Sequence, residues 1–223
     1  NFDSGLGEWV VDGEWGLTDE PAIGSYALTD SPNGDYGAEL TSVARLNVDL
    51  NLDFIANPYV SFSAQWDIED GYDFIRFQAY LEETGWISMQ GAYTTTGNGA
   101  SAQPIGEFGY DGIQSNWVEE KFYLDQLGGI KPSAFRFIQN SDQFVEGDGF
   151  VVDAFSINGF PIGKQGDYFP DGDINIFDIV GLADLISYGR EPSEYALNFC
   201  DIDSNGEINI YDLLTIINLV SNQ

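Results

Sequence analysis

Oxygen-bearing side chains recur with one fixed spacing near the C-terminal end of this chain. Asp167, Asp171, Asp173, Asn175 and Asp178 occupy positions 1, 5, 7, 9 and 12 of one twelve-residue segment. Asp201, Asp203, Asn205, Glu207, Asn209 and Asp212 occupy positions 1, 3, 5, 7, 9 and 12 of a second, starting 34 residues later. Calcium takes roughly six to eight oxygens, and side chains at 1, 3, 5, 9 and 12 with a backbone carbonyl at 7 wrap such a sphere. Gly172 and Gly206 stand at position 6, where the chain turns sharply into a conformation that a Cβ disfavours. Calcium is therefore the expected cofactor. The second loop fills every position, whereas the first has Phe169 at position 3, where a water must substitute, so the second is expected to hold the ion more tightly. Position 12 is Asp in both, shorter than the Glu of regulatory loops, which points to a structural ion rather than a switch.

The elements that must position these loops follow each of them. Ile179, Val180, Leu182, Ala183, Leu185 and Ile186 carry helical spacing after the first, and Leu213, Leu214, Ile216, Ile217, Leu219 and Val220 after the second. Each loop is expected to feed one helix, with no helix directly before either loop and a connector through Pro192. Units of about 25 residues bury little apolar surface, so calcium is expected to be obligatory for folding of this region.

This duplicated pattern, residues 166 to 223, resembles a type I dockerin, the C-terminal module with which cellulosomal enzymes dock onto cohesin domains. The resemblance implies a protein partner, either a cohesin-like domain or further copies of the chain. Where the family carries Ser-Thr-like pairs just before the last loop ligand, this chain has Ile176-Phe177 and Ile210-Tyr211. Leaving such pairs in water costs about 25 cal/mol per Å². They are expected to face a hydrophobic partner or to pack on the rest of the chain.

Length and charge bound the remainder. The 223 residues accommodate one larger domain, residues 1–160, and the small calcium-binding domain, residues 161–223. With 7 basic against 37 acidic residues the net charge is -30, which repels phosphate backbones and anionic lipid. Nucleic acid is excluded as a partner class, and no apolar run is long enough for membrane insertion. The start lacks a basic-then-apolar leader, which reads as a mature or excised chain. Cys200 is the single cysteine and is expected to be a small core residue. Structural calcium suggests a secreted or cell-surface, extracellular setting.

Residues 1 to about 160 read as strands between Gly, Asn, Asp and Pro punctuation. The runs are 24–29, 40–48, 59–66, 74–80, 85–90, 117–124, 133–139 and 150–157. About eight such strands predict a jelly-roll β-sandwich, so the fold class is mainly β with a small α-helical calcium-binding domain behind it. Aromatic residues make up 15% of the chain, and Trp9, Trp15, Trp66, Trp86 and Trp117 all fall here, most of them expected in the core. The segments Phe2-Asp3-Ser4-Gly5-Leu6-Gly7-Glu8-Trp9, Trp15-Gly16-Leu17, Gly24 to Pro32, Trp66 to Asp73 and Gly147 to Asp153 resemble the MAM-like jelly-roll domain of immune-inhibitor-A-type secreted peptidases. That module is an accessory domain, not the peptidase. The chain departs from it in having Phe150 and Asp153-Ala154 where the family has Trp and paired Asp.

Carboxylates cluster at strand ends: Asp30 with Asp35, Glu69 with Asp70 and Asp73, and Asp148 with Asp153. Grouped like charges suggest further calcium, and Asp3 is a candidate for tying the first strand to the last through a metal. Catalysis has little to stand on. With no histidine, Ser-His and Cys-His nucleophile pairs and imidazole zinc sites are excluded, and no glycine-rich phosphate loop is present. A non-catalytic assembly module, docking onto a partner or self-assembling into surface structures or filaments, is the leading expectation. The alternative is a carbohydrate-binding accessory module of a secreted hydrolase, marked by a planar row of exposed aromatics. A glycosidase pair of carboxylates ranks third.

Overall fold

Alternating apolar residues build two five-stranded sheets over the first two thirds of the chain. The computed structural model describes residues 1–48, 50, 52 and 55–222, the side chains of residues 160 and 161 excepted. It divides into two compact units, residues 1–50 with 57–158 and residues 51–56 with 159–223. The strands are β1 Trp9–Asp12, β2 Gly16–Thr18, β3 Ala27–Thr29, β4 Thr41–Leu46, β5 Ile55–Ile68, β6 Phe74–Leu81, β7 Gly85–Ser88, β8 Thr95–Thr96, β9 Phe108–Gly109, β10 Gly112–Tyr123, β11 Ala134–Asn140 and β12 Gly149–Pro161. One sheet runs β1-β4-β11-β6-β7 and the other β10-β5-β12-β3-β2, with β8 and β9 forming a separate short pair. All eight predicted strands are present. The additional ones, β1, β2, β8 and β9, are two to four residues long, too short to show alternation.

The inner faces of the two sheets meet in an aromatic core. Phe62 on β5 lies 5.3 Å from Phe77 on β6 and 5.1 Å from Phe137 on β11, measured between ring centroids. Phe122 on β10 stacks on Phe62 at 5.3 Å and meets Phe77 at 4.8 Å. Trp9, Trp15 and Trp66 are buried with them, while Trp86 and Trp117 are half-buried. Ring pairs at these distances add about 0.5–1.5 kcal/mol each beyond their burial, so this unit has a substantial core of its own.

The second unit carries α1 Ile176–Ser187, α2 Glu194–Cys200 and α3 Ile210–Ser221. Leu182 and Leu185 of α1, Cys200 of α2, and Leu213 and Ile216 of α3 form its buried cluster. Helix α1 begins at Asn175, whose side chain accepts from the Phe177 N–H, while Asp178 accepts back from the Asn175 N–H. Helix α3 repeats this capping box with Asn209 and Asp212. Such reciprocal caps satisfy orphan donors at both ends of the first turn. One expectation is corrected here: α2 runs directly into the second loop. Ser193 caps it by accepting from the Ala196 N–H, and Ala196 and Cys200, one turn apart, are its two buried residues. Seven residues give too little periodicity for the sequence to show it. The single cysteine is core, fully buried as expected.

Candidate metal centre

Two loops, each closed by its own carboxylates, lead into α1 and α3. In the second loop Asp201 accepts from the Asn205 and Gly206 N–H groups, at 3.1 and 2.7 Å. Asp212 reaches back to the Ile202 N–H at 2.8 Å and the Asn209 N–H at 2.9 Å. Carboxylate oxygens of Asp201, Asp203 and Asp212 lie within 4.8 Å of one another. Asn205 and Asn209 turn their side-chain oxygens onto the Glu207 and Tyr211 N–H groups, and Glu207 itself is exposed. Gly206 holds φ 89°, the left-handed conformation the turn needs.

The first loop repeats the plan with a gap. Asp178 accepts from the Phe169 N–H at 2.9 Å and the Asn175 N–H at 2.8 Å, matching Asp212. Asp171 accepts from the Asp173 N–H at 2.9 Å. Asp167 is fully buried and accepts from the Gly172 N–H through one oxygen, while its other oxygen, Oδ1, has no partner. Burial, followed by the charges of Asp178 and Asp171, pushes the Asp167 carboxyl above the usual range. A buried carboxylate oxygen with no donor, beside two further carboxylates, is a site that a cation would satisfy. The donors in both loops are all oxygen, which suits a hard cation such as calcium. Among the described residues, three carboxylates come within 4.8 Å of one another only in the second loop and in one place in the sandwich; the first loop has Phe169 at the position that Asp203 holds in the second.

The sandwich cluster differs from the sequence reading. Glu69 and Asp73 come together, but their third member is Asp142, whereas Asp70 is not part of the group. Asp142 lies 69 residues beyond Asp73 in sequence and donates its backbone N–H to that carboxylate, so no local spacing pointed to it. Asp73 also accepts from the Tyr36 hydroxyl. Other buried carboxylates act as ties between segments. Asp30 accepts from the Phe150 N–H and Asp153 from the Ile23 N–H, while Asp35 and Asp148 are exposed. Burial pushes Asp30 up to about 7, and its Oδ2 has no partner. Asp3 accepts from the Ser25 N–H, tying the first segment to the approach to β3. Glu120, which sequence reasoning passed over, accepts from the Ala92 and Tyr93 N–H groups and the Tyr110 hydroxyl.

The residues just before the last ligand of each loop are exposed. Ile176 and Phe177 are 58% and 68% accessible, and Ile210 and Tyr211 51% and 71%. Val180 on α1 and Leu214 on α3, one turn further along each helix, extend these faces. Among the described residues no helix is long and apolar enough to cross a membrane.

Residues 165–221 match the dockerin type I domain family. Dockerin type I domains bind calcium and serve as non-catalytic docking modules, with a cohesin as partner, and they occur in extracellular or cell-surface proteins. The match covers the dockerin-like region alone. No curated protein matches the chain. Among solved structures the sandwich is similar to a carbohydrate-binding module specific for non-crystalline cellulose, at 18% identity and a TM-score of 0.42 over 70% of this chain and 89% of that one. It is also similar to a family 30 carbohydrate-binding module of a cellulosomal cellulase of Clostridium thermocellum, at 14% identity and TM-score 0.39 over 70% of this chain and 88% of that one. A third is the K2 cleaved adhesin domain of Lys-gingipain, at 12% and 0.39 over 68% and 88%. Scores and identities this low say nothing about ligands.

Proposed function

We propose that this chain is an extracellular assembly module whose dockerin-like region docks onto a cohesin-like partner through the apolar pairs Ile176-Phe177 and Ile210-Tyr211. Calcium, when bound, supplies the positive charge that lets Asp167, Asp171, Asp173, Asn175 and Asp178, and Asp201, Asp203, Asn205, Glu207, Asn209 and Asp212, stand together. The carboxylates at position 12 carry a second duty: they close the capping boxes of α1 and α3, so loop geometry and helix start are coupled. The observation that carries the docking reading is the exposure of Phe177 and Tyr211 at equivalent places in the two repeats. Large apolar side chains in the first turn of each helix stabilise nothing while they face water. A partner that covers them gains that burial. Further copies of the chain are the second occupant such faces would suit.

Carbohydrate binding through a row of exposed aromatic rings has less support. Three of the five tryptophans are core, and the Trp86 ring lies under the Arg136 guanidinium at 4.1 Å. The buried carboxylates of the sandwich are engaged with backbone N–H groups, which favours a scaffold role for them over a glycosidase pair. The MAM-like reading of the sandwich fits the same picture of an accessory domain.

The test is calorimetric binding of the full chain to a type I cohesin domain in calcium, with Phe177→Ser and Tyr211→Ser combined. Interface aromatics often contribute about 2 kcal/mol or more, so the double variant should lose roughly thirtyfold in affinity or more while its calcium titration is unchanged. Wild-type affinity in the double variant would overturn the assignment of this face.

A further inference from the structure

A glycine stands in the middle of α1, where only proline would weaken a helix more. Gly181 is buried although it has no side chain. The rings of Tyr168 and Phe169 close over it. A Cβ built there would lie 2.5 Å from Cδ1 of Tyr168 and 2.6 Å from Cε2 of Phe169, whereas carbon atoms pack at about 3.5–4.0 Å. The two rings meet each other edge-on at 4.9 Å, and Tyr168 also packs against the buried cluster of the three helices. Phe169 is 46% accessible, so one side of its ring faces water while the other is seated on α1.

The second repeat fills the same place differently. With the offset of 34 residues, Ile202 stands for Tyr168, Asp203 for Phe169 and Thr215 for Gly181. Ile202 packs against the same cluster, and the Thr215 hydroxyl donates to the Tyr211 carbonyl at 2.9 Å. A smaller loop residue goes with a side chain on the helix, and large rings go with glycine, as close packing requires. The backbone of Phe169 connects this packing to the first loop's ligands. Its N–H donates to Asp178 at 2.9 Å, its carbonyl accepts from the Asp171 N–H, and Asp167 lies two residues before it. A shift of the rings therefore moves three carboxylates.

We propose that the Tyr168 and Phe169 rings, seated on Gly181, position the ligands of the first loop in place of the carboxylate that Asp203 supplies in the second. Calcium affinity in the first loop then depends on Gly181, a residue with no ligand atom to offer. This role presupposes that the first loop is a calcium site. It differs from a bare loss at position 3, under which the Phe169 ring is idle and any oxygen placed there helps the ion. With the ring as a positioning group, its removal costs affinity even when a hydroxyl takes its place.

The test is a calcium titration of the full chain followed through the amide resonances of Gly172 and Gly206, each of which donates to the first ligand of its own loop. Gly181→Ala and Phe169→Ser should each weaken binding in the first loop about tenfold, a size that supporting residues of metal sites reach, and leave the second loop unchanged. Gly181→Thr should do the same. Tyr168→Ile added to it copies the pairing of the second repeat and should recover most of the loss. Phe169→Ser binding as tightly as the wild type or more tightly, equal weakening of both loops by Gly181→Ala, or no recovery in the paired variant would overturn the proposal. A wild-type Gly172 resonance that ignores calcium would overturn the calcium reading of the first loop as well.

Discussion

Asp178 holds two backbone N–H groups and Asp212 three, across the loop and in the capping box, and both offer their remaining lone pairs to a cation. The two loops differ in what surrounds that shared part. Asp201, Asp203 and Asp212 converge, whereas the first loop has Phe169 in place of a ligand. Asp201→Ala and Asp212→Ala are therefore expected to weaken calcium binding more than Asp167→Ala and Asp178→Ala. Each second-loop change should cost of order tenfold or more, a size that even supporting residues of metal sites reach. Calcium titration of the four variants checks the ranking, and equal or reversed losses would contradict it. Loop ligands were legible in the sequence because their spacing is local. Asp142 was not, since only the fold brings it to Asp73, and Glu120 was not, because its partners lie 27 and 28 residues earlier.

Helices α1 and α3 could be read in advance, being twelve residues long with a clear apolar period. Helix α2 is seven residues long and sits where Pro192 suggested only a connector. Its packing gives the small unit a third wall, with Cys200 at the meeting point of all three helices. The Cys200 thiol is pushed up to about 12, first by burial and then by the carboxylates of Asp178, Asp167 and Asp212. A raised thiol value leaves the group neutral at ordinary pH, and the thiolate is the reactive form. Cys200 should thus resist a thiol reagent while calcium holds the loops, and react rapidly once a chelator removes it. Stopped reaction mixtures assayed for free thiol would show this; equal rates in calcium and chelator would mean that the helices stay packed without the ion.

At the scale of the whole chain, the two units rest on different foundations. The sandwich has an aromatic core drawn from both sheets, and its inward alternation made the fold class legible although its shortest strands were not. The C-terminal unit has five buried residues in its cluster and several carboxylates that repel one another. Its stability must come largely from what the loops bind, as in other small metal-dependent folds. Hydrogen–deuterium exchange of the full chain, with calcium and with excess chelator, tests this most directly. Chelation should strip protection from the amides of α1, α2 and α3 and leave those of β6 and β11 protected. Unchanged protection of the three helices in chelator would contradict a calcium-dependent docking unit.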